Sequence, residues 1–370
     1  MRKLATAATA FCAAIFAANY ILPLGRLTTI AVIAAVLGAA LAASRMPRLR
    51  QAALALVFLA LGLVYYSAYS ERTAAQAQFR SGETAVVGGH VLTYPINYGS
   101  YCRTEIKLDC EGLPKLKAIV YADEELMDAK PGDFIRFTGR LSAADTLFGE
   151  SYDNYHAKGI FFKISAKSAV SIENADFDLR SIPVKLSRLL SERVEKIFPA
   201  DTAVFMKSLM LGDKSDFYND DALYCTMSRA GFMHIVAVSG MHVSFLVGLL
   251  QFILGRGRRS AVICIALVWL FVLITGASPS AVRAGFMQSM LLMAPVLRRE
   301  NDAVTSLSAI LALILLSNPF AAASISLQLS FGAMAGIICF SGKLYDAAMN
   351  KLPERMKCRP VRYVLASVTM

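Results

Sequence analysis

The chain has 370 residues, of which 56% are hydrophobic and only 18% charged, and a formal net charge of +11. Soluble domains carry about 45–50% apolar and about 25% charged residues, so the balance argues against a soluble class and for a membrane protein.

Three apolar runs open the chain: LATAATAFCAAIFAANYIL from residue 4, LTTIAVIAAVLGAALAA from 27 and AALALVFLALGLVYYSAYS from 52. Each is about the length a helix needs to cross a bilayer, and none has an internal charge. The first follows Arg2 and Lys3 as a signal peptide would, but it is long and more spans follow, so it is read as retained. From residue 71 to 180 charges of both signs, Gly and Pro turns and period-2 alternation replace the apolar runs. In YCRTEIKLDC (101–110) Cys102, Thr104, Ile106, Leu108 and Cys110 alternate with Tyr101, Arg103, Glu105, Lys107 and Asp109, the pattern of a half-buried strand. Four more strands are predicted in ETAVVGGHVLTY, KLKAIVYA, DFIRFTGRL and GIFFKISAKSAVSI. Five strands with Gly-containing turns and one long link, FGESYDNYHAK, fit a small closed or nearly closed OB-like barrel; an open sheet on a helix is the alternative.

Helical periodicity returns at 182. IPVKLSRLLSERVEKIF, with Pro183 near its start, reads as amphipathic and interfacial, and TAVFMKSLMLGDKSDF has the same mixed character. Further spans are predicted at 234–254, 260–277, 280–297, 303–317 and 321–340, about eight in all. Placing Arg2 and Lys3 inside puts the basic links RMPRLR (45–50), GRGRR (255–259), LRRE (297–300) and the segment from Lys343 to Arg362 on the same side, with the β domain, GASPS and SNP outside. The positive charge is therefore topology first. Within 80–178 there are about 11 Lys plus Arg against about 15 Asp plus Glu, not the bulk positive field of a DNA-binding module. Of the seven cysteines, only Cys102 and Cys110 fall in the outside domain, and eight extended residues of roughly 3.3 Å each keep them too far apart for a bridge if the strand holds.

Polar side chains interrupt the later spans. In RAGFMHIVAVSGMHVSFLV, Ser239 and His242 share a helix face while His234 is rotated off it. A serine hydrolase pair is disfavoured by the i, i+3 spacing on one continuous helix and by the lack of a Gly-rich oxyanion loop, and two histidines fall short of a zinc ligand set. Two readings stay open: Gly240 permits close packing while Ser239 and His242 bond across helices, or the polar groups face a hydrated pathway. Arg283, four residues past Pro279, either snorkels to the outer interface or lines a conduit for anions. Gln288, Ser324 and Gln328 add further polar positions.

The ordered succession LMLGDKSDF (209–217), RAGFMHIVAVSGMHVSF (229–245), GASPSAVRAGFM (276–287) and NPFAAASISLQLSFGAMAGI (318–337) resembles the motifs of the ComEC-type competence family, inner-membrane DNA-uptake channels of bacteria. The resemblance covers nearly the whole chain. It implies that one DNA strand passes through the polytopic domain into the cytoplasm, and Ser239, His242, Arg283 and Gln328 are the matching residues whose chemistry suits a translocation path. Gly240, Gly276 and Pro279 are read as helix-packing positions. Partners implied are single-stranded DNA, the lipid bilayer and other competence proteins such as a DNA receptor, a cytoplasmic ATPase and a nuclease, with a homo-oligomer also open. Many members carry a C-terminal metallo-β-lactamase-like domain with an H-x-H-x-D-H pattern, which the four histidines here (90, 156, 234, 242) do not form. Neither metal, cofactor nor enzymatic activity is therefore expected, and the chain is read as truncated, split or a fragment.

The expected organisation is a polytopic α-helical protein of the bacterial inner membrane, N-terminus cytoplasmic: three N-terminal spans (1–70), an extracytoplasmic OB-like β domain (71–180), interfacial helices (181–230), a competence-type channel domain (231–342) and a basic cytoplasmic segment with the start of another helix (343–370). Two other classes remain: a small-molecule or lipid transporter, which would show inverted repeats, and a membrane scaffold that docks an uptake or secretion partner.

Overall fold

A computed structural model describes residues 3–351 except 45, 100, 111–113, 148–149, 152–153, 175–180, 214–215, 218–220, 232–237 and 298–301. Its main helices are α1 (Lys3–Tyr20), α2 (Leu27–Ala42), α3 (Pro47–Arg72), α4 (Ile182–Ile197), α5 (Ala200–Leu211), α6 (Asp221–Arg229), α7 (Gly240–Leu254), α8 (Arg258–Ile274), α9 (Pro279–Leu297), α10 (Ala303–Ser317) and α11 (Ile325–Lys351). The chain forms two compact units, one of residues 1–64, 300–317 and 322–370, the other of 65–299 and 318–321.

In the first unit, α1 packs along α10, burying Ala8, Phe11, Cys12, Ile15 and Ala18 at helical spacing. Small residues set the approach of α1 to α3: a Cβ on Gly62 would sit 2.8 Å from the Ala14 Cβ. Such close contact between backbones is how helices associate without a hydrophobic gradient.

The second unit begins with five main strands: β1 (Thr84–Val91), β2 (Cys102–Leu108), β3 (Lys117–Ala122), β4 (Phe134–Ala143) and β5 (Ile160–Ala166). They close into a barrel in the order β1-β2-β3-β5-β4-β1, antiparallel everywhere except the parallel β3–β5 pair. β1 bends to join both neighbours where Gly89 comes so near β2 that a Cβ would meet the Lys107 carbonyl at 2.6 Å. The alternation expected of 101–110 is observed, with Cys102, Thr104, Ile106 and Leu108 all buried. Leu126, from the short 3-10 turn between β3 and β4, is fully buried with them. Cys102 and Cys110 are free thiols.

After the barrel come α4 to α9. Val238, Val243, Val247, Cys264, Val268, Val272, Ala281 and Leu292 form one apolar core among α7, α8 and α9. Large apolar side chains point away from it, Phe252 being 88% and Phe245 74% exposed, which a soluble surface would not tolerate in such number.

Three helical stretches, Leu24–Ala42, Pro47–Phe79 and Ile325–Ala347, are long and apolar enough to cross a bilayer. Several expected spans are shorter than their apolar runs. In the run at 234–254 the described residues Val238 and Ser239 are not helical and α7 starts at Gly240, while in that at 321–340 the helix starts at Ile325, after the 3-10 turn Pro319–Ala323. The 15 residues of α7 rise about 22 Å, less than the roughly 30 Å hydrocarbon layer.

Candidate functional site: polar groups in the helical segments

Ser239 is not inside a helix, as its apolar flanks suggest, but is the N-cap of α7, with φ −113° and ψ 170°. Its backbone N–H donates to His242 Nδ1 at 3.2 Å and its Oγ lies 3.0 Å from the same nitrogen. This is a capping box in which an imidazole replaces the usual Glu or Gln. An Nδ1 that accepts is unprotonated, so the ring proton sits on Nε2. The premise of one continuous helix through both residues is thus corrected, because the chain is not helical at Ser239. Each bonds to the other. As a hydrolase dyad the pair is still poorly equipped, since the nitrogen facing the hydroxyl is shared with a backbone N–H. His234 lies outside the described residues.

α7 and α9 meet along a line that repeats every four residues. Ser280 Oγ donates to the Val238 carbonyl at 2.8 Å, a Cβ on Gly240 would meet Ala284 at 3.7 Å, and Gln288 Nε2 donates to Ser244 Oγ at 2.7 Å. Gly240 thus faces Ala284 at ordinary contact distance. At Gly276 a Cβ would meet nothing within 4 Å, and its φ of +74°, followed by +48° at Ala277, makes it a turn residue rather than a helix-packing one. Pro279 opens α9, where its missing N–H costs nothing. Arg283 is 5% exposed, buried rather than snorkelling. On the opposite side of α9, Trp269 Nε1 donates to Ser289 Oγ at 3.1 Å.

In the other unit, Ser324 precedes α11 and its Oγ accepts from the Leu327 N–H at 3.4 Å, so it too is a cap and not part of a helix face with Gln328. Gln328 donates to the Ala322 carbonyl at 2.8 Å and to Tyr20 Oη at 2.5 Å.

Three features escape sequence reasoning. Lys207 of α5 is buried to 6% of its side chain and paired with Glu195 of α4 at 2.5 Å and with Asp216. Burial works to lower its pKa, but the two carboxylates outweigh this and raise it, so the ammonium stays charged. Asp216 belongs to LMLGDKSDF, whose Gly212 ends α5 at φ +73°. The only hint was one lysine in an otherwise apolar helix.

The second is an aromatic cluster. Phe320 lies 5.5 Å from Tyr66, 6.0 Å from Tyr69, 5.4 Å from His156 and 6.0 Å from Phe161. Asn318 donates to the carbonyls of His156 and Ala157 at 2.8 and 3.1 Å. The NPF tripeptide is thereby tied to the barrel link YHAKGIFF.

The third is an outer barrel face where aromatics and cations interleave. Tyr98 and Tyr101 stack at 5.3 Å and are about two-fifths exposed, Tyr121 meets Tyr101 edge-on at 5.5 Å, and Lys163 lies 4.5 Å above Tyr155. Arg103 is the cross-strand neighbour of Tyr121. Partial burial, then the neighbouring Tyr155, pushes the Tyr121 phenol up to about 12, so it stays neutral in physiological conditions.

Comparison with known proteins bears on residues on both sides of these features. Residues 209–369 match the family described as Competence protein. ComE operon protein 3 of Bacillus subtilis (strain 168) is 25% identical over 242 residues, covering 62% of this chain and 30% of that protein. The chain thus spans about 30% of the length of that relative. No solved structure matches. The matched segment, 209–369, includes Asp216, the Ser239–His242 cap, the α7–α9 seam and Gln328, and the two matches together support a ComEC-type competence family member.

Proposed function

We propose that the chain acts in DNA uptake for natural transformation, as the inner-membrane element through which a single strand enters the cytoplasm. The observation that carries the reading is the placement of polar groups within the competence-matched segment: a buried Arg283 beside the Ser280, Gly240 and Gln288 contacts, in helices whose other faces are apolar. A phosphodiester strand cannot cross hydrocarbon without polar partners and a cation. Ser239, His242, Arg283 and Gln328 are proposed to face that path.

The finer topology belongs to the same proposal. About eight spans cross the membrane, with the basic links inside and the barrel outside. The non-helical Val238–Ser239 and the turn before Ser324 are of the kind tolerated at membrane depth only where backbone lines a cavity or is buried in protein. The barrel order β1-β2-β3-β5-β4-β1 supports the reading of an OB-like domain, and with it an outer domain that receives DNA. Its net acidic composition disfavours capture by bulk charge, whereas the Tyr98, Tyr101 and Tyr121 face with Arg103 and Lys163 suits stacking of unpaired bases.

Stacking of this kind is worth about 1–3 kcal/mol per base. Replacing Tyr98 and Tyr101 together by Ala is expected to weaken binding of a fluorescent single-stranded oligonucleotide to the purified full chain by about tenfold or more, with the salt slope unchanged. Affinity unaffected by the double variant would remove the barrel face from the path. Binding absent even at low salt would favour the scaffold reading instead.

A further inference from the structure

We propose that the turn between α7 and α8 holds an anionic glycerophospholipid. A cavity of about 350 Å³ opens there, lined on one side by Arg256, Arg258 and Ser260 of the turn and on the other by Leu291, Leu292 and Val296 of α9. The turn is built to hold this shape. Gly255 reverses the chain at φ +76°, and Ser260 Oγ donates to its carbonyl at 2.5 Å, which closes the loop and leaves the two guanidinium groups exposed on either side of Gly257.

The chemistry of the lining selects the ligand. Two guanidinium forks suit a phosphate, yet the opposite wall is hydrocarbon, which a free phosphate or a nucleotide would leave unused. Beside the turn, Phe252 (88% exposed), Ile253 (68%) and Val262 (57%) continue the apolar surface outward. A molecule that joins a phosphodiester to long acyl chains satisfies all three parts: phosphate at the arginines, glycerol and first methylenes in the cavity, chains along the exposed apolar side chains. Headgroups that add no positive charge of their own, such as phosphatidylglycerol or cardiolipin, fit best, because a choline or ethanolamine ammonium would be placed beside two arginines. Basic pockets between helices at the membrane surface are known to use this chemistry. The site is separate from the polar seam at the other end of α7, and it does not depend on the DNA reading.

The chain carries its own probe. Trp269 is its single tryptophan, eleven residues beyond Arg258 on α8 and so about 16 Å deeper, within reach of an acyl chain anchored at the turn. The full chain is reconstituted in phosphatidylcholine vesicles containing an equal small fraction of either phosphatidylglycerol or phosphatidylcholine with brominated acyl chains, without DNA. Brominated phosphatidylglycerol is expected to quench Trp269 at least twofold more than brominated phosphatidylcholine. R256Q/R258Q should abolish the difference, R259Q, outside the cavity lining, should keep it, and V296F, which narrows the cavity and keeps both charges, should lose it. Equal quenching by the two lipids in the unmodified chain overturns the proposal. So does selectivity that survives V296F, which would assign it to surface charge alone.

Discussion

Replacing Arg283 by Glu is expected to reduce uptake of labelled DNA by roughly two orders of magnitude while the protein still reaches the membrane at its normal level. The side chain is 5% exposed, in a stretch of α9 whose sequence neighbours Ala281, Val282, Ala284 and Gly285 carry no polar side chain. Reversing a charge at a buried position removes its favourable interactions and leaves a carboxylate in its place, an effect of about 3 kcal/mol or more, or some hundredfold in a rate that depends on it. Arg283→Lys keeps the charge but not the planar fork, so it should retain a measurable fraction of uptake. The variants separate conduction from folding: Glu and Lys at similar membrane levels but different uptake assign the residue to the path. Equal uptake by the Glu variant and the unmodified chain would withdraw Arg283 from it.

The largest expected loss of stability follows from Phe320→Ala. Phe320 is 8% exposed and contacts four aromatic rings, two from α3 and two from the barrel link. Truncating a buried Phe typically costs about 3–5 kcal/mol, since the cavity cannot collapse fully around rigid rings. Limited proteolysis in mild detergent should therefore cleave the variant's barrel link near His156 much faster than that of the unmodified chain. Phe320→Leu, which keeps most of the volume, should recover more than half of the loss. Unchanged cleavage in Phe320→Ala would mean that the NPF segment does not hold the barrel.

These two residues also mark what the sequence discloses and what it withholds. The alternation in YCRTEIKLDC is a local property, and Cys102, Thr104, Ile106 and Leu108 are buried as it requires, while Cys110, past the end of the strand, is only half-buried. Barrel closure is not local: it needs β3 beside β5, parallel and some forty residues apart, and a Gly89 able to pass against β2. Phe320 and Tyr66 are separated by more than 250 positions, and no periodicity links NPF to YYSAY. At Ser239 and Ser324 the signal was present but misread. A serine within an apolar run looks like a buried polar group, whereas Ser is also a preferred helix start, and at Ser239 a side-chain acceptor follows three residues later. His242 is an uncommon third-position partner, and the apolar HIVAV before it conceals the break. Lys207 was legible only as an oddity, because its partners Glu195 and Asp216 come from different elements.

Entry of a strand through the competence segment is tested most directly by photocrosslinking during uptake. A photoreactive residue is placed at His242, at Gln328 or at Phe252, the last 88% exposed on the apolar side of α7. Cells that take up labelled DNA are irradiated, and the protein is recovered. Adducts with DNA at positions 242 and 328 and none at 252 are the predicted result. DNA uptake that proceeds with no adduct at 242 or 328, or with equal adducts at 252, would contradict a path lined by these residues.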